Sequence, residues 1–76
     1  MSGRQIIRFS LHLTYDQFLS VYQGFARNVS VVADDGRRIQ FPAGNVQSFL
    51  TKEGIHGYFE MELTANNKFV GIRKLG

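Results

Sequence analysis

Seventy-six residues make one domain with no room for a second, and a chain this short buries only about 60% of the surface its unfolded form exposes, which leaves a narrow stability margin. Apolar residues at 43%, with seven Phe and three Tyr, can still build a core, whereas the absence of cysteine excludes disulfides and thiolate metal sites and fits a reducing compartment. The net charge of +3 permits an anionic partner without demanding one, because a small domain commonly carries a charge of roughly 2–8 for solubility alone.

The opening Met1-Ser2-Gly3-Arg4-Gln5 leads into alternating sequence, not into an apolar run followed by a cleavage site, so no secretory leader is expected. No apolar run approaches the roughly 20 residues a bilayer span requires. The expectation is a soluble cytoplasmic protein, one domain over residues 1–76 with an ordered core over about residues 6–75, and no membrane partner.

From Ile7 to Leu13 the chain alternates: Ile7, Phe9, Leu11 and Leu13 on one face, Arg8, Ser10 and His12 on the other. A period of two marks a half-buried strand. Thr14-Tyr15-Asp16-Gln17 then has the form of a capping box, in which the Thr hydroxyl accepts from the third helical amide and Gln17 reaches back to the cap. Tyr15, Phe18, Leu19 and Tyr22 recur at helical spacing, and Gly24 offers a left-handed terminus, so a helix is predicted over 15–23.

Two hairpins follow. In the first, a two-residue loop at Asp35-Gly36 would split the apolar residues between faces, whereas a three-residue loop Asp34-Asp35-Gly36 sets Val31 opposite Ile39 and Val29 opposite Phe41. The core selects the second register and places Gly36 where a left-handed residue is needed. In the second hairpin, Asn66-Asn67 as a two-residue loop sets Leu63 opposite Val70, Met61 opposite Ile72 and Glu60 opposite Arg73. Between them Pro42 ends a strand, Asn45 is a candidate cap for a short helix carrying Val46, Phe49 and Leu50, and Gly54-Ile55-His56-Gly57 makes a tight return into the fourth strand. The order strand, helix, hairpin, short helix, hairpin predicts an α+β fold, with the five strands in one strongly curved antiparallel sheet or a small open barrel.

Tyr22-Gln23-Gly24, Gly36-Arg37-Arg38-Ile39-Gln40-Phe41-Pro42-Ala43, Phe49, Gly54-Ile55-His56-Gly57 and Asn67-Lys68-Phe69 stand in an order and spacing that resemble a family of short bacterial proteins, mainly gammaproteobacterial, classed as a domain of unknown function. The resemblance runs from about Ile6 to Leu75, and its Phe-Pro-Ala and Gly-Ile-His-Gly elements carry most of its specificity. It implies a bacterial cytoplasmic protein and brings no activity or binding residues with it.

Ser10, His12 and Asp16 invite a nucleophile reading, but strand residues two apart are separated by roughly 6.5–7 Å along the backbone, and a working Ser–His pair needs a reach of about 3 Å. Polar residues on an outer strand face are the ordinary reading, and no enzyme is expected. His12 and His56 lack metal-ligand spacing with Asp34, Asp35 or Glu53, so neither metal nor cofactor is expected. Gly54-Ile55-His56-Gly57 with Lys52 is a turn, without the strand–loop–helix context of a phosphate cradle, and offers at most a weak anion site. Two partner classes stay open for a non-enzymatic binding domain. RNA or single-stranded nucleic acid would use Arg37, Arg38, Lys52, His56, Tyr58, Lys68 and Phe69, with Tyr58 and Phe69 on the outer surface as stacking platforms, although Glu60 and Glu62 share that face. A protein partner, or a second copy in a homodimer, would pair with an exposed edge strand.

Overall fold

The computed structural model describes residues 3–25 and 27–76; Met1 and Ser2, at the head of the segment expected to carry no leader, lie outside them. The elements are β1 (Arg4–Leu13), α1 (Tyr15–Tyr22), β2 (Asn28–Val32), β3 (Arg38–Pro42), a 3-10 helix (Ala43–Phe49), β4 (Ile55–Thr64) and β5 (Phe69–Lys74). Helices and antiparallel strands are mixed as expected, but the strands form two sheets in place of one curved sheet or barrel. β1, β4 and β5 make a three-stranded sheet in the order β1-β4-β5, and β2-β3 is a separate hairpin. Alternation gives a strand one buried face without naming its neighbour. Here β4 pairs with the whole of β1, from Arg4 opposite Thr64 to Leu13 opposite Ile55. The hairpin packs its apolar residues into the same core and meets β1 where the Asp34 N–H donates to the Arg8 carbonyl at 2.8 Å.

That core is built from opposed strand partners: Phe9 faces Phe59 and Ile7 faces Met61 across β1 and β4, and Val29, Val31 and Phe41 come from the hairpin. Phe9 and Phe41 bring ring centroids within 5.6 Å and so tie the two sheets together. Phe49 of the 3-10 helix meets Phe59 edge-on at 5.1 Å. Among the described residues no helix is long and apolar enough to cross a membrane.

The capping box at Thr14 is complete, with Gln17 N–H donating to Thr14 Oγ1 at 3.1 Å and Thr14 N–H to Gln17 Oε1 at 2.9 Å. The buried stripe of α1 differs from the expected one. Phe18 is buried and Val21 packs partly against the core, while Tyr15 and Tyr22 stay exposed, as suits hydroxyl-bearing rings at a wet rim. Gly24 does not take the expected left-handed conformation, which belongs to Gly36 and Gly54 among the glycines. A Cβ at Gly24 would lie 2.8 Å from the Ser20 carbonyl oxygen, so close approach to the preceding turn is what favours glycine there.

The first hairpin has the register the apolar pattern selects, Val31 opposite Ile39 and Val29 opposite Phe41, with Gly36 at φ +92°. The 3-10 helix starts at Ala43 behind Pro42 and has no side-chain cap, so Asn45 is not the predicted cap; Pro42 already fixes the chain direction, and Ala43 and Val46 anchor the segment by burial. In the second hairpin Glu60 faces Arg73 and Met61 faces Ile72, but an irregularity between Glu62 and Leu63 sets Leu63 opposite Phe69 instead of Val70. Its loop has three residues, not two. Thr64 N–H donates to the Lys68 carbonyl at 2.8 Å around Ala65-Asn66-Asn67, and Asn67 takes φ +66°. The extra loop residue changes the face that Phe69 presents.

Candidate functional site

A groove of about 520 Å³ runs along β3, between the hairpin and the β4–β5 end of the larger sheet. Ile7, Phe41, Met61 and Leu63 supply apolar lining, joined by Phe69, and Arg37, Arg38, Gln40, Asn45 and Asn67 supply the polar groups. The volume falls within the range typical of ligand sites. Among the described residues no Asp or Glu lines the groove and none of β2 borders it, so it lies on the side of β3 turned away from its strand partner.

The hydrogen-bond alternation of the hairpin shows what β3 offers that groove. Ala33 N–H donates to the Arg37 carbonyl and Ala43 N–H to the Arg27 carbonyl, each at 2.8 Å. Antiparallel bonding alternates along a strand, so Ile39 and Phe41, between the Arg37 carbonyl and the Ala43 N–H, turn their main-chain groups toward β2. The N–H and C=O of Arg38 and Gln40 therefore point outward, without a backbone partner among the described residues, as a free edge.

One end of the groove is fastened by Gln5, which links the tips of the two hairpins. Its Oε1 accepts from Arg37 Nη1 at 3.1 Å, while its Nε2 donates to Asn67 Oδ1 at 2.7 Å and to the Thr64 carbonyl at 3.0 Å. Arg37 also pairs with Asp35 at 2.7 Å. The Arg37 backbone N–H, and then its guanidinium, hold the Asp35 carboxyl below the usual carboxylate range. Arg38 makes no ion pair among the described residues and stands exposed at the rim.

Of the residues read from the sequence as contacts, Arg37, Arg38 and Phe69 meet in the groove, whereas Lys52, His56, Tyr58 and Lys68 do not line it. Lys52 lies in the turn closed by Thr51 and Gly54, and Lys68 donates its backbone N–H to Thr64 Oγ1. Tyr58 and Phe69 do not share the outer surface as expected. Phe69 pairs with Leu63 on the core-facing side, while Tyr58, opposite Ser10 on the other face, donates its hydroxyl to the Asp34 carboxylate. That bond favours the protonated phenol and raises its pKa. Sequence reasoning missed Gln5, Gln40 and Asn45. Only Gln40, a polar residue between the apolar Ile39 and Phe41 on a strand ended by proline, carried any signal.

The open face of the larger sheet is a ladder of matched charges. Arg4 pairs with Glu62 at 2.6 Å, and Glu60 accepts from Arg8 at 2.9 Å and Arg73 at 2.8 Å. The hydrogen bond from Arg8, followed by that from Arg73, lowers the Glu60 pKa against the opposing pull of partial burial. A carboxyl whose pKa is depressed on folding stabilises the fold above its unfolded pKa of about 4.3 and loses that contribution as pH falls through the lower folded value. Wild type is therefore expected to exceed Glu60→Gln in stability at neutral pH, with the gap closing below about pH 4. Denaturant midpoints measured across that range check this, and a pH-independent gap would refute it.

Compared with family models, the chain matches one described as "Protein of unknown function (DUF2835)" over residues 5–75. Neither the curated proteins nor the solved structures contain a match to it.

Proposed function

The chain belongs to this family, whose description assigns no activity, and from the groove we propose that the protein is a non-enzymatic interaction module that binds an extended, acidic peptide segment of a partner protein along the free edge of β3. The observation that carries this reading is the coincidence of unpaired strand edge, apolar lining and unopposed positive charge in one place. Strand addition takes affinity from main-chain hydrogen bonds and selectivity from alternate side chains. The outward groups of Arg38 and Gln40 supply the first. The apolar lining formed by Phe41, Met61, Leu63 and Phe69 receives the second. Arg38, free of an internal partner, selects a carboxylate on the incoming strand.

Lys, Pro and other awkward residues also guard edges against aggregation, and Arg38 and Pro42 fit that role. A guarded edge alone, however, does not require a groove of about 520 Å³ beside it. Nucleic acid draws less support. Tyr58 and Phe69 stand on opposite faces of the sheet, and the cations of the open face are matched by Glu60 and Glu62.

Selection from a displayed library of extended peptides, read out by fluorescence polarisation, tests the proposal. Selected sequences are expected to alternate apolar and acidic positions. Arg38→Glu is expected to weaken them about tenfold, on the scale of a partly desolvated ion pair. Gln40→Pro removes an edge donor at a position where proline is tolerated and is expected to weaken binding with little change in melting temperature. Selection of no alternating peptide, or affinity indifferent to both substitutions, would overturn the proposal. So would mixed oligonucleotides that bind with steep salt dependence and compete with the peptide.

A further inference from the structure

His12 and His56 lie 44 residues apart in sequence and directly opposite each other across β1 and β4, on the open face away from the groove. Their Nδ1 atoms are 3.4 Å apart, with ring centroids at 5.6 Å and planes inclined by 34°. We propose that this pair is a two-histidine site for a divalent late transition-metal ion such as Zn²⁺ or Cu²⁺, both imidazoles coordinating through Nδ1.

The separation is the first argument. Two nitrogen ligands at about 2.0–2.1 Å from a tetrahedral ion stand roughly 3.3–3.4 Å apart. The rings are therefore already spaced as two corners of such a site, held there by strand register instead of flexible loops.

The second argument is the tautomer. His56 Nε2 lies 2.9 Å from the Glu53 carbonyl oxygen. A carbonyl can only accept, so Nε2 carries the proton, and in the neutral ring the lone pair resides on Nδ1, turned toward His12. A backbone carbonyl on the far nitrogen is the arrangement that orients histidines ligating metals. An ordinary pair, with His12 Nδ1–H donating to His56 Nδ1, would use the same tautomer of His56, and the experiment below separates the two.

Both rings are exposed, so an ion can reach them from solvent. Among the described residues no third His, Cys, Asp or Glu completes a cluster. The remaining coordination positions fall to water or to a donor from another molecule, and the late transition metals that favour imidazole are the class that fits.

The test is titration of ¹⁵N-labelled protein with ZnCl₂, and separately with Cu²⁺ monitored by its d–d absorption, in a non-coordinating buffer. With Zn²⁺ the Nδ1 resonances of both histidines are expected to shift while Nε2 keeps its proton. His12→Gln and His56→Gln are each expected to lower affinity at least tenfold. Circular dichroism of the two variants, whose substitutions are on the surface, confirms that they fold. No Nδ1 shift and no d–d band up to about 1 mM metal, the weak end of a specific affinity, would overturn the proposal. So would coordination through Nε2, or affinity unchanged in either variant.

Discussion

Gly54→Ala is expected to remove a large share of the protein's stability. Gly54 sits at φ +105°, and a Cβ added there would lie 2.0 Å from the Leu13 carbonyl oxygen and 2.7 Å from the Thr14 carbonyl carbon. Main chain cannot rotate aside as a side chain would. The crowded atoms are also those in which β1 ends and the capping box of α1 begins, so relief at Gly54 disturbs both elements. The turn cannot drift outward freely, because Thr51 and Gly54 exchange backbone hydrogen bonds at 2.9 and 3.0 Å and Thr51 Oγ1 donates to the Gly54 carbonyl at 2.8 Å. Strain of this kind belongs among the large single-residue effects, roughly 3–5 kcal/mol. At 0.05–0.15 kcal/mol per residue, a chain of this length commands on the order of 4–11 kcal/mol in total. Gly36→Ala is the matched control: Gly36 also has a positive φ, +92°, but nothing lies within 4 Å of an added Cβ, and about 1 kcal/mol is expected. Denaturant unfolding of the two variants decides the matter, and equal losses would show that backbone conformation, not the approach of Leu13, fixes glycine at 54.

That glycine stood inside a motif legible in the sequence, but its reason did not. Local pattern fixes what is local. The Thr14 capping box needs four consecutive residues, and the Asp34-Asp35-Gly36 loop follows because only one register keeps Val29, Val31, Ile39 and Phe41 on a common face. The second hairpin lacked that discrimination. Glu60 with Arg73 and Met61 with Ile72 are satisfied by either loop length, so the irregularity beyond Glu62 that turns Phe69 toward the groove left no mark in the apolar pattern.

What the chain pattern could not carry was which strand lies beside which. A period of two states that Phe9 points inward. It does not state that Phe59 stands opposite or that Phe41 arrives from another sheet. The groove exists because there are two sheets, and the histidine pair because β1 and β4 are neighbours. Both candidate sites are thus consequences of long-range pairing. Their residues look scattered in the sequence: Arg37, Arg38 and Phe69 stand in a set with Lys52, His56, Tyr58 and Lys68 that no chain pattern subdivides, and His12 and His56 lack ligand spacing along the chain.

The same long-range pairing makes Phe9→Ala the second severe substitution expected here. Phe9 is fully buried and touches both layers, with its ring 5.6 Å from Phe41 of the hairpin and 6.0 Å from Phe59 of β4. Truncation to alanine removes the transfer free energy of the ring and leaves a cavity between sheets that share few backbone bonds to hold it closed, a loss of about 3–5 kcal/mol. Each aromatic pairing adds about 0.5–1.5 kcal/mol beyond area. Phe9→Leu, which fills most of the space, is expected to cost about half as much. The location of the damage is as informative as its size. Native-state hydrogen exchange on Phe9→Leu, which stays folded, should show lost protection first at Val31 and Ile39, whose amides bond within the hairpin, before Met61 in the central strand of the larger sheet. Loss of protection in the opposite order would mean that the hairpin stands without the Phe9–Phe41 contact. The wall of the groove would then have its own source of rigidity, independent of the core beneath it.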